Sequence, residues 1–178
     1  MRRDTSETGR AFDDGLEDIA GHYSAAFPSA DIDRFRAHLA VVRTGSRLSQ
    51  SVSQFLAANF GINTARYSLL RALYFTVEKR LPQSEVAKAM NVTSPNVTQL
   101  IDALEREGLV ERVVSETDRR VTLAQLTPEG IAKCSELVPG IARFMQETSA
   151  ALTRDEMVQL VDLLTKFRNH LVEMNIEA

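Results

Sequence analysis

The chain has 178 residues, of which 44% are hydrophobic and 25% are charged, and its formal net charge is −3 at pH 7. Such a composition is typical of a globular protein and excludes a chain that is disordered throughout. No apolar run approaches the roughly 18 residues that span a bilayer, and no apolar segment follows Arg2 and Arg3 as it would in a secretory signal. We therefore expect a cytoplasmic protein with no membrane-bound part.

The predicted elements begin behind a polar N-terminus. Residues 1–10 are polar and charged and lack periodicity, so we expect them to be disordered. An extra helix is predicted over residues 11–28, because apolar residues recur there at steps of three and four from Phe12 to Phe27. Pro28 ends that helix.

A long helix is predicted next, within residues 29–61. Its apolar positions run from Ile32 to Leu56 with helical spacing, Gly45 marks a weak point in the middle, and Gly61 suits a left-handed C-terminal position. A helix of this length cannot bury its apolar face within itself, so we expect it to pack on a second copy of the chain.

Three shorter helices follow in helix-turn-helix order. Asn63 is a good N-cap for the first, which we predict to bury side chains as far as Val77, and residues 84–90 form the second. The third begins at Ser94, predicted as its N-cap with Pro95 in the first helical position, and ends at Gly108. This order is typical of a DNA-binding helix-turn-helix.

The third of these helices has the composition of a recognition helix. Apolar residues from Val97 to Leu104 give it a buried face, and a group of short polar residues remains near its start, namely Ser94, Asn96, Thr98 and Gln99. Asn and Gln pair with adenine edges, and hydroxyl groups bind bases or phosphates. A solvated helix surface would be the simpler interpretation if the helix stood alone, but its place in a helix-turn-helix favours DNA contact.

A β-hairpin is predicted directly after this helix. Residues 109–114 and 121–126 alternate between apolar and polar, and the polar tip between them contains Arg119 and Arg120. A helix-turn-helix followed by such a hairpin is a winged helix, in which arginines at the tip suit the negative potential of a narrow minor groove. An isolated pair of arginines would more often be a simple solvated turn.

Two more helices are predicted at the C-terminal end. One begins at Thr127 and Pro128 and is expected to kink at Pro139, and the last begins at Thr153 with Glu156 in a capping box. We predict that residues 128–178 form a dimerisation region together with residues 29–61; the alternative is a bundle within one chain. The predicted fold is mainly α with a small β-wing, a winged helix-turn-helix over residues 62–127 flanked by these dimerisation helices.

Three groups of residues together resemble the MarR (multiple antibiotic resistance regulator) family. They are the turn from Leu104 to Arg112, the wing residues 118–120, and the helix start from Leu126 to Gly130. The resemblance implies a homodimer that is joined through its first and last helices, binds a palindromic operator and usually represses. It also often implies a small phenolic or aromatic ligand that weakens DNA binding.

The resemblance assigns roles to individual residues. It implies base contacts from the start of the recognition helix (Ser94, Asn96, Thr98, Gln99), minor-groove contacts from Arg119 and Arg120, and a wing-bracing role for Asp102, Arg112 and Asp118. Position 99 is often basic in the family, and Gln99 departs from that pattern. We therefore expect DNA binding to rely more on contacts from the wing.

The acidic balance leaves a second interpretation open. Residues 80–127 contain six Lys and Arg residues against seven Asp and Glu residues, so DNA contact must rely on a few well-placed cations. A winged-helix module that binds another protein without binding DNA is the alternative.

Other candidate sites are weaker. The single cysteine, Cys134, lies near Lys133, which could lower its pKa, but an inert half-buried thiol is the favoured interpretation over a redox switch. The histidines at positions 22, 38 and 170 have no metal-binding spacing, and no catalytic motif is found, so neither a cofactor nor an enzymatic activity is expected. A ligand cleft for an acidic aromatic molecule is predicted from Arg43, Arg47, Tyr67, Arg71 and Tyr74; the alternative for these residues is packed tyrosines and solvated arginines.

Overall fold

The structure is a computed structural model that describes residues 14–90 and 92–174. It divides into two compact units, residues 1–67 and residues 68–178, and each is considered by itself. The disorder expected for residues 1–10 lies outside the described residues, and the domain boundaries expected at residues 28, 61 and 127 stay predictions. None of the described helices is both long enough and apolar enough to cross a membrane.

The first unit is built on two helices that pack against each other, α1 (Asp14–Ala26) and α2 (Ile32–Phe60). The ring of Tyr23 stacks on that of Phe35 with 4.0 Å between centroids, and Arg36 donates two hydrogen bonds of 2.7 and 3.1 Å to one carboxylate oxygen of Glu17. Ala20 is fully buried. The extra N-terminal helix is thereby fixed to the start of α2.

The ends of α2 follow the local rules that the sequence indicated. The carboxylate of Asp31 accepts the backbone N–H of Arg34, and Gly61 closes the helix with a φ of 64°. The weak point expected at Gly45 does not interrupt the helix. Several large apolar side chains of α2 stay exposed, including Val41, Val42 and Leu48.

Helix α3 (Thr64–Tyr74) begins in the first unit and ends in the second. The Asn63 side chain accepts the backbone N–H of Arg66 at 2.9 Å, which confirms the predicted cap. The expectation that Val77 points inward is wrong: its side chain is 99% exposed. The helix ends three residues earlier, at Tyr74, and Lys79, which adopts a left-handed φ of 56°, donates from Nζ to the Tyr74 carbonyl at that end.

The second unit continues with a short strand, two helices, a hairpin and two helices: β1 (Arg80–Pro82), α4 (Gln83–Met90), α5 (Ser94–Arg106), β2 (Val110–Val114), β3 (Thr122–Leu126), α6 (Pro128–Ser149) and α7 (Arg154–Glu173). The strands form an antiparallel sheet in the order β1-β3-β2. Strand β1 was not predicted; Leu81 and Arg112 both lie opposite Ala124 of the central strand. The predicted class, mainly α with a small wing, is confirmed.

The core of this unit is aliphatic and receives buried side chains from all of its helices and strands except β1 and α7. The buried side chains from α3, α4, α5, β2, β3 and α6 are those of Leu69, Leu70, Leu73, Val86, Ala87, Val97, Ile101, Leu104, Val110, Ala124, Leu126, Cys134, Leu137 and Ile141. Helix α7 begins with the predicted capping box between Thr153 and Glu156, yet none of its side chains is buried in one copy of the chain. Helix α6 runs through Pro139 as one helix, and the kink there stays a prediction.

The start of α6 is locked to the turn that follows α5. The Thr127 hydroxyl donates to the carbonyl of Gly108 at 2.6 Å and accepts the backbone N–H of Gly130 at 3.0 Å. A Cβ atom at position 130 would lie 2.0 Å from the carbonyl oxygen of Leu109. Glycine is required at this position because two backbone segments meet without room for a side chain.

Cys134 is a core residue of the second unit. Its side chain is buried and its sulfur lies 3.8 Å from the carbonyl oxygen of Leu70. Burial raises the pKa of the thiol to about 11, and the nearby charge of Lys79 lowers it only in part. Lys133, the cation suggested by the sequence, instead lies 3.9 Å from Glu136. The favoured interpretation of an inert thiol agrees with this environment.

The close approach at Gly130 yields a stability test. We expect Gly130→Ala to lower the free energy of unfolding by roughly 1–3 kcal/mol, because the backbone of Leu109 must move to admit the methyl group. Gly45→Ala is the matched control: a Cβ there meets nothing within 4 Å, so the same change in a helix should leave stability equal or higher. Urea denaturation measures both, and equal stability of Gly130→Ala and the unmodified chain would contradict the account.

The burial of Cys134 yields a reactivity test. A thiol pKa raised from 9.0 to about 11 corresponds to a roughly 100-fold smaller thiolate fraction at neutral pH. Iodoacetamide should therefore alkylate the native protein at least about 100-fold more slowly than the same protein in urea. A native rate equal to that of a free thiol would restore the redox-switch interpretation.

Candidate nucleic-acid interface

Helix α5 separates a buried face from a polar face. Val97, Ile101 and Leu104 are almost completely buried in the core. Asn96, Thr98 and Gln99 are exposed in the first two turns, and Ser94 is the first residue of the helix. The start of α5 thus presents an amide-rich surface on a helix that its other face fixes to the body of the unit.

The N-cap of α5 is Thr93 and not Ser94 as predicted. Thr93 has an extended backbone (φ −74°, ψ 151°), its carbonyl accepts the backbone N–H groups of Asn96 and Val97, and its side chain makes no capping hydrogen bond. Ser94 is already helical, and Pro95 is accommodated in the first turn, where no intrahelical donor is required.

Arg112 connects the hairpin to α5 through two carboxylates. From strand β2, its guanidinium forms an ion pair with Asp102 at 2.5 Å and a second one with Glu105, both on α5. Its backbone N–H also donates to Glu105 at 3.3 Å. We call this set, Arg112 with Asp102 and Glu105, the helix–wing clamp.

The electrostatics of the clamp favour a permanently charged arginine. Partial burial by itself lowers the pKa of Arg112, but the hydrogen bonds and charges of Asp102 and Glu105 outweigh it, so the pKa is raised overall. Pairs as accessible as these contribute only about 0–1 kcal/mol to stability. We therefore expect their effect to be mainly geometric, through the angle between α5 and the hairpin.

Glu105 is a site residue that the sequence analysis missed. It follows Asp102 by three residues, a spacing that places both side chains on one face of a helix. That spacing was visible in the sequence, but only the strand geometry shows that Arg112 reaches both carboxylates.

Asp118, the third residue expected to brace the wing, lies in the hairpin tip. Its carboxylate accepts the backbone N–H of Arg120 at 3.0 Å, and its carbonyl accepts that of Val121 at 2.9 Å. The structure thus brings Asp102 and Arg112 together, and it gives Asp118 contacts within the tip.

The two tip arginines are the accessible cations of the hairpin. The side chains of Arg119 and Arg120 are exposed, and in the described part of the chain neither is paired with a carboxylate. Two other cations of this unit are paired with carboxylates: Arg80 binds Glu78 at 2.7 Å and lies 3.8 Å from Glu116, while Lys88 binds Glu85.

The residues predicted for a ligand cleft are divided between the two units. Arg43 and Arg47 are exposed on α2, and Tyr67 is buried. In the second unit Arg71 is exposed, and the Tyr74 ring lies under the Lys79 ammonium, with its hydroxyl 3.4 Å from Ser135. Packed tyrosines and accessible arginines fit the alternative interpretation, and the shared cleft stays a prediction. No metal-binding cluster of side chains occurs among the residues that the structure describes.

Comparison with known protein sequences shows that the chain is similar to transcriptional regulators. A sequence model of the MarR family matches residues 60–121. The HTH-type transcriptional regulator PrsX of Escherichia coli is 31% identical over 156 residues, which cover 86% of this chain and 91% of that protein.

Two solved structures are similar in fold. The S. aureus MepR–DNA complex has a TM-score of 0.67 and 28% identity, covering 75% of this chain and 96% of that one. The Bordetella bronchiseptica protein BpsR, whose DNA binding is regulated by 6-hydroxynicotinic acid, has a TM-score of 0.64 and 28% identity, covering 74% and 91%. These similar proteins are regulators and not enzymes.

Proposed function

The chain belongs to the MarR family of transcriptional regulators, and on that basis we propose that it acts as a homodimer that grips double-stranded DNA with α5 and the hairpin tip. The observation that carries the proposal is the helix–wing clamp. It connects the C-terminal half of α5 to strand β2, and the exposed polar residues lie at the start of the same helix and the two accessible arginines at the tip of the same hairpin. The similar MepR protein forms a complex with DNA.

In the major groove, the start of α5 from Ser94 to Gln99 would read bases. The exposed amides of Asn96 and Gln99 have the donor and acceptor pair that matches an adenine edge, and Thr98 has a hydroxyl suited to a base or a phosphate. This part of α5 has no cation, since Arg106 lies in its last turn. Base recognition by α5 therefore needs an electrostatic contribution from elsewhere.

In the minor groove, Arg119 and Arg120 would supply that contribution. A hairpin tip is narrow enough to enter the groove, and a guanidinium is attracted by its negative potential. The clamp would fix the hairpin relative to α5, so that both grooves would be engaged in one geometry, with Asp102, Glu105 and Arg112 as bracing residues.

A second copy of the chain is the proposed partner of the exposed apolar faces. Helix α7 exposes an apolar stripe at helical spacing, Leu160, Leu164, Phe167 and Leu171, and α2 exposes Val41, Val42 and Leu48. A helix without a single buried side chain is stabilised little by its own propensity. A symmetric dimer would cover these faces and place two copies of α5 about one helical turn of DNA apart, about 10 bp, on a pseudo-palindromic operator.

We further propose that the protein is a cytoplasmic repressor. A small acidic aromatic molecule would bind to it and release it from DNA. BpsR, whose DNA binding responds to 6-hydroxynicotinic acid, supports this class of effector. In the second unit the exposed side chain of Arg71 offers a countercharge for a carboxylate, and Tyr74 offers an aromatic wall. The alternative of a protein-binding module without DNA binding is not favoured, because the similar proteins are DNA-binding regulators.

The wing contact is tested by removing its two cations. We expect Arg119→Ala with Arg120→Ala to weaken binding to the DNA upstream of the protein's own coding region by at least tenfold, and to reduce the slope of log K against log salt by about 0.9 for each lost phosphate contact. Arg143→Ala with Arg154→Ala, on α6 and α7, removes the same charge as a control and should bind normally. Unchanged affinity in the wing variant, measured by fluorescence anisotropy, would refute the contact.

The dimer is tested on α7. Leu160→Glu with Leu164→Glu should convert a dimer into a monomer in sedimentation equilibrium and abolish specific DNA binding, because two charges cannot be buried in an apolar interface. Gln159→Glu with Asn169→Glu adds the same charge at polar positions of the helix and should stay dimeric. If the leucine variant remained a dimer, α7 would not form the interface.

The effector class is tested by titration. Calorimetry with 6-hydroxynicotinate should show binding to the unmodified protein, a parallel loss of DNA binding, and at least a tenfold weaker affinity in Arg71→Ala, because the carboxylate loses its countercharge. Nicotinamide, which lacks the carboxylate, is the control ligand. Absence of heat and of any effect on DNA binding would refute this effector.

A further inference from the structure

Ser115 is unusual in its burial. It is the one polar residue that is buried among those the structure describes, at 9% exposure, although it lies between strand β2 and the hairpin tip. The five residues that follow it, 116–120, are all exposed. A hydroxyl group is therefore enclosed at the base of an otherwise solvated loop, and a buried hydroxyl normally has hydrogen-bond partners.

The partners of Ser115 all belong to the tip. Its Oγ lies 3.0 Å from the Oγ1 of Thr117 and accepts the backbone N–H groups of Thr117 at 3.3 Å and Asp118 at 3.4 Å. Its own backbone N–H donates to the carbonyl of Val121 at 2.9 Å. The serine thus connects the two sides of the loop and two residues within it.

Asp118 continues this network to the arginines. Its carbonyl accepts the N–H of Val121, and its carboxylate accepts the N–H of Arg120. The backbone around Arg119 and Arg120 is consequently fixed by a chain of hydrogen bonds that begins at the Ser115 hydroxyl. A loop that is ordered before binding loses less conformational entropy when it enters a groove.

We propose that Ser115 is a positioning residue for DNA binding, which holds the tip in the conformation that presents Arg119 and Arg120. The inference rests on the proposed minor-groove contact of those two arginines. Ser115 acts through them and does not itself touch DNA.

If Ser115 had a purely structural role, its loss would lower the stability of the unit more than the order of the tip. Strands β2 and β3 are paired from Val110 opposite Leu126 to Val114 opposite Thr122 without the serine hydroxyl, so its loss should not open the hairpin. The partners of the hydroxyl are the Thr117 hydroxyl and two N–H groups of an exposed loop, and water can satisfy them when the loop loosens. Its removal should therefore affect the order of the tip more than the stability of the unit.

The test is a thermodynamic cycle on the full-length chain. Ser115→Ala should weaken binding to the upstream DNA by roughly 3- to 10-fold, the cost of ordering a loop on binding, with an unchanged urea midpoint and faster amide exchange at Thr117 and Asp118. Ser115→Thr keeps the hydroxyl and should restore most of the affinity. Ser135→Ala, which removes an exposed hydroxyl from α6, is the matched control and should bind normally.

Repeating Ser115→Ala in the protein that lacks both tip arginines distinguishes a failure of the positioning role from a failure of the wing contact. In the Arg119→Ala, Arg120→Ala protein, Ser115→Ala should cause no further loss, because the serine acts through these arginines. Normal binding by Ser115→Ala, or an equal loss in both backgrounds, would overturn the positioning role and leave the wing contact intact. A lack of effect from the arginine changes themselves would overturn the wing contact, and the inference with it.

Discussion

The attachment of Arg112 to two carboxylates of α5 is the interaction on which the proposed mechanism depends. Helix α5 is fixed to the core through Val97, Ile101 and Leu104, so any element held to α5 takes its orientation from the core. The hairpin has a polar, exposed tip that the core does not reach. Arg112 of strand β2 binds Asp102 and Glu105, and we propose that this attachment makes the helix and the hairpin one DNA-binding surface.

The charge of the chain makes the tip arginines important to the proposal. The net charge is −3, and Arg80, Lys88 and Arg112 of the winged part are paired with carboxylates. The clamp pairs one cation with two acids of α5 and so offsets part of their negative charge. The accessible charge is concentrated in Arg119 and Arg120, and a dimer would double that small contribution. The proposed DNA contact by α5 and the tip therefore depends on the proposed dimer, which the exposed apolar faces of α2 and α7 would form.

Local signals in the sequence were sufficient for most of the fold, and non-local contacts account for what was missed. Helix ends at Gly61, Asn63 and Thr153 follow from capping chemistry that acts within four residues. Strand β1 was missed because three residues carry no periodicity and pair only with a distant strand. Of the candidate site, the polar start of α5 and the tip arginines were visible as patterns. Glu105 and the buried Ser115 emerged only from the geometry of the hairpin.

The central claim is that α5 and the wing bind DNA as one unit, and Arg112→Gln tests it most directly. The account predicts at least a tenfold loss of affinity for the upstream DNA, while the free energy of unfolding changes by no more than about 1 kcal/mol. It also predicts that the loss persists when Asp102→Asn and Glu105→Gln remove the uncovered charges, because the geometry is not restored. Normal affinity of Arg112→Gln, or full recovery in the triple variant, would contradict it.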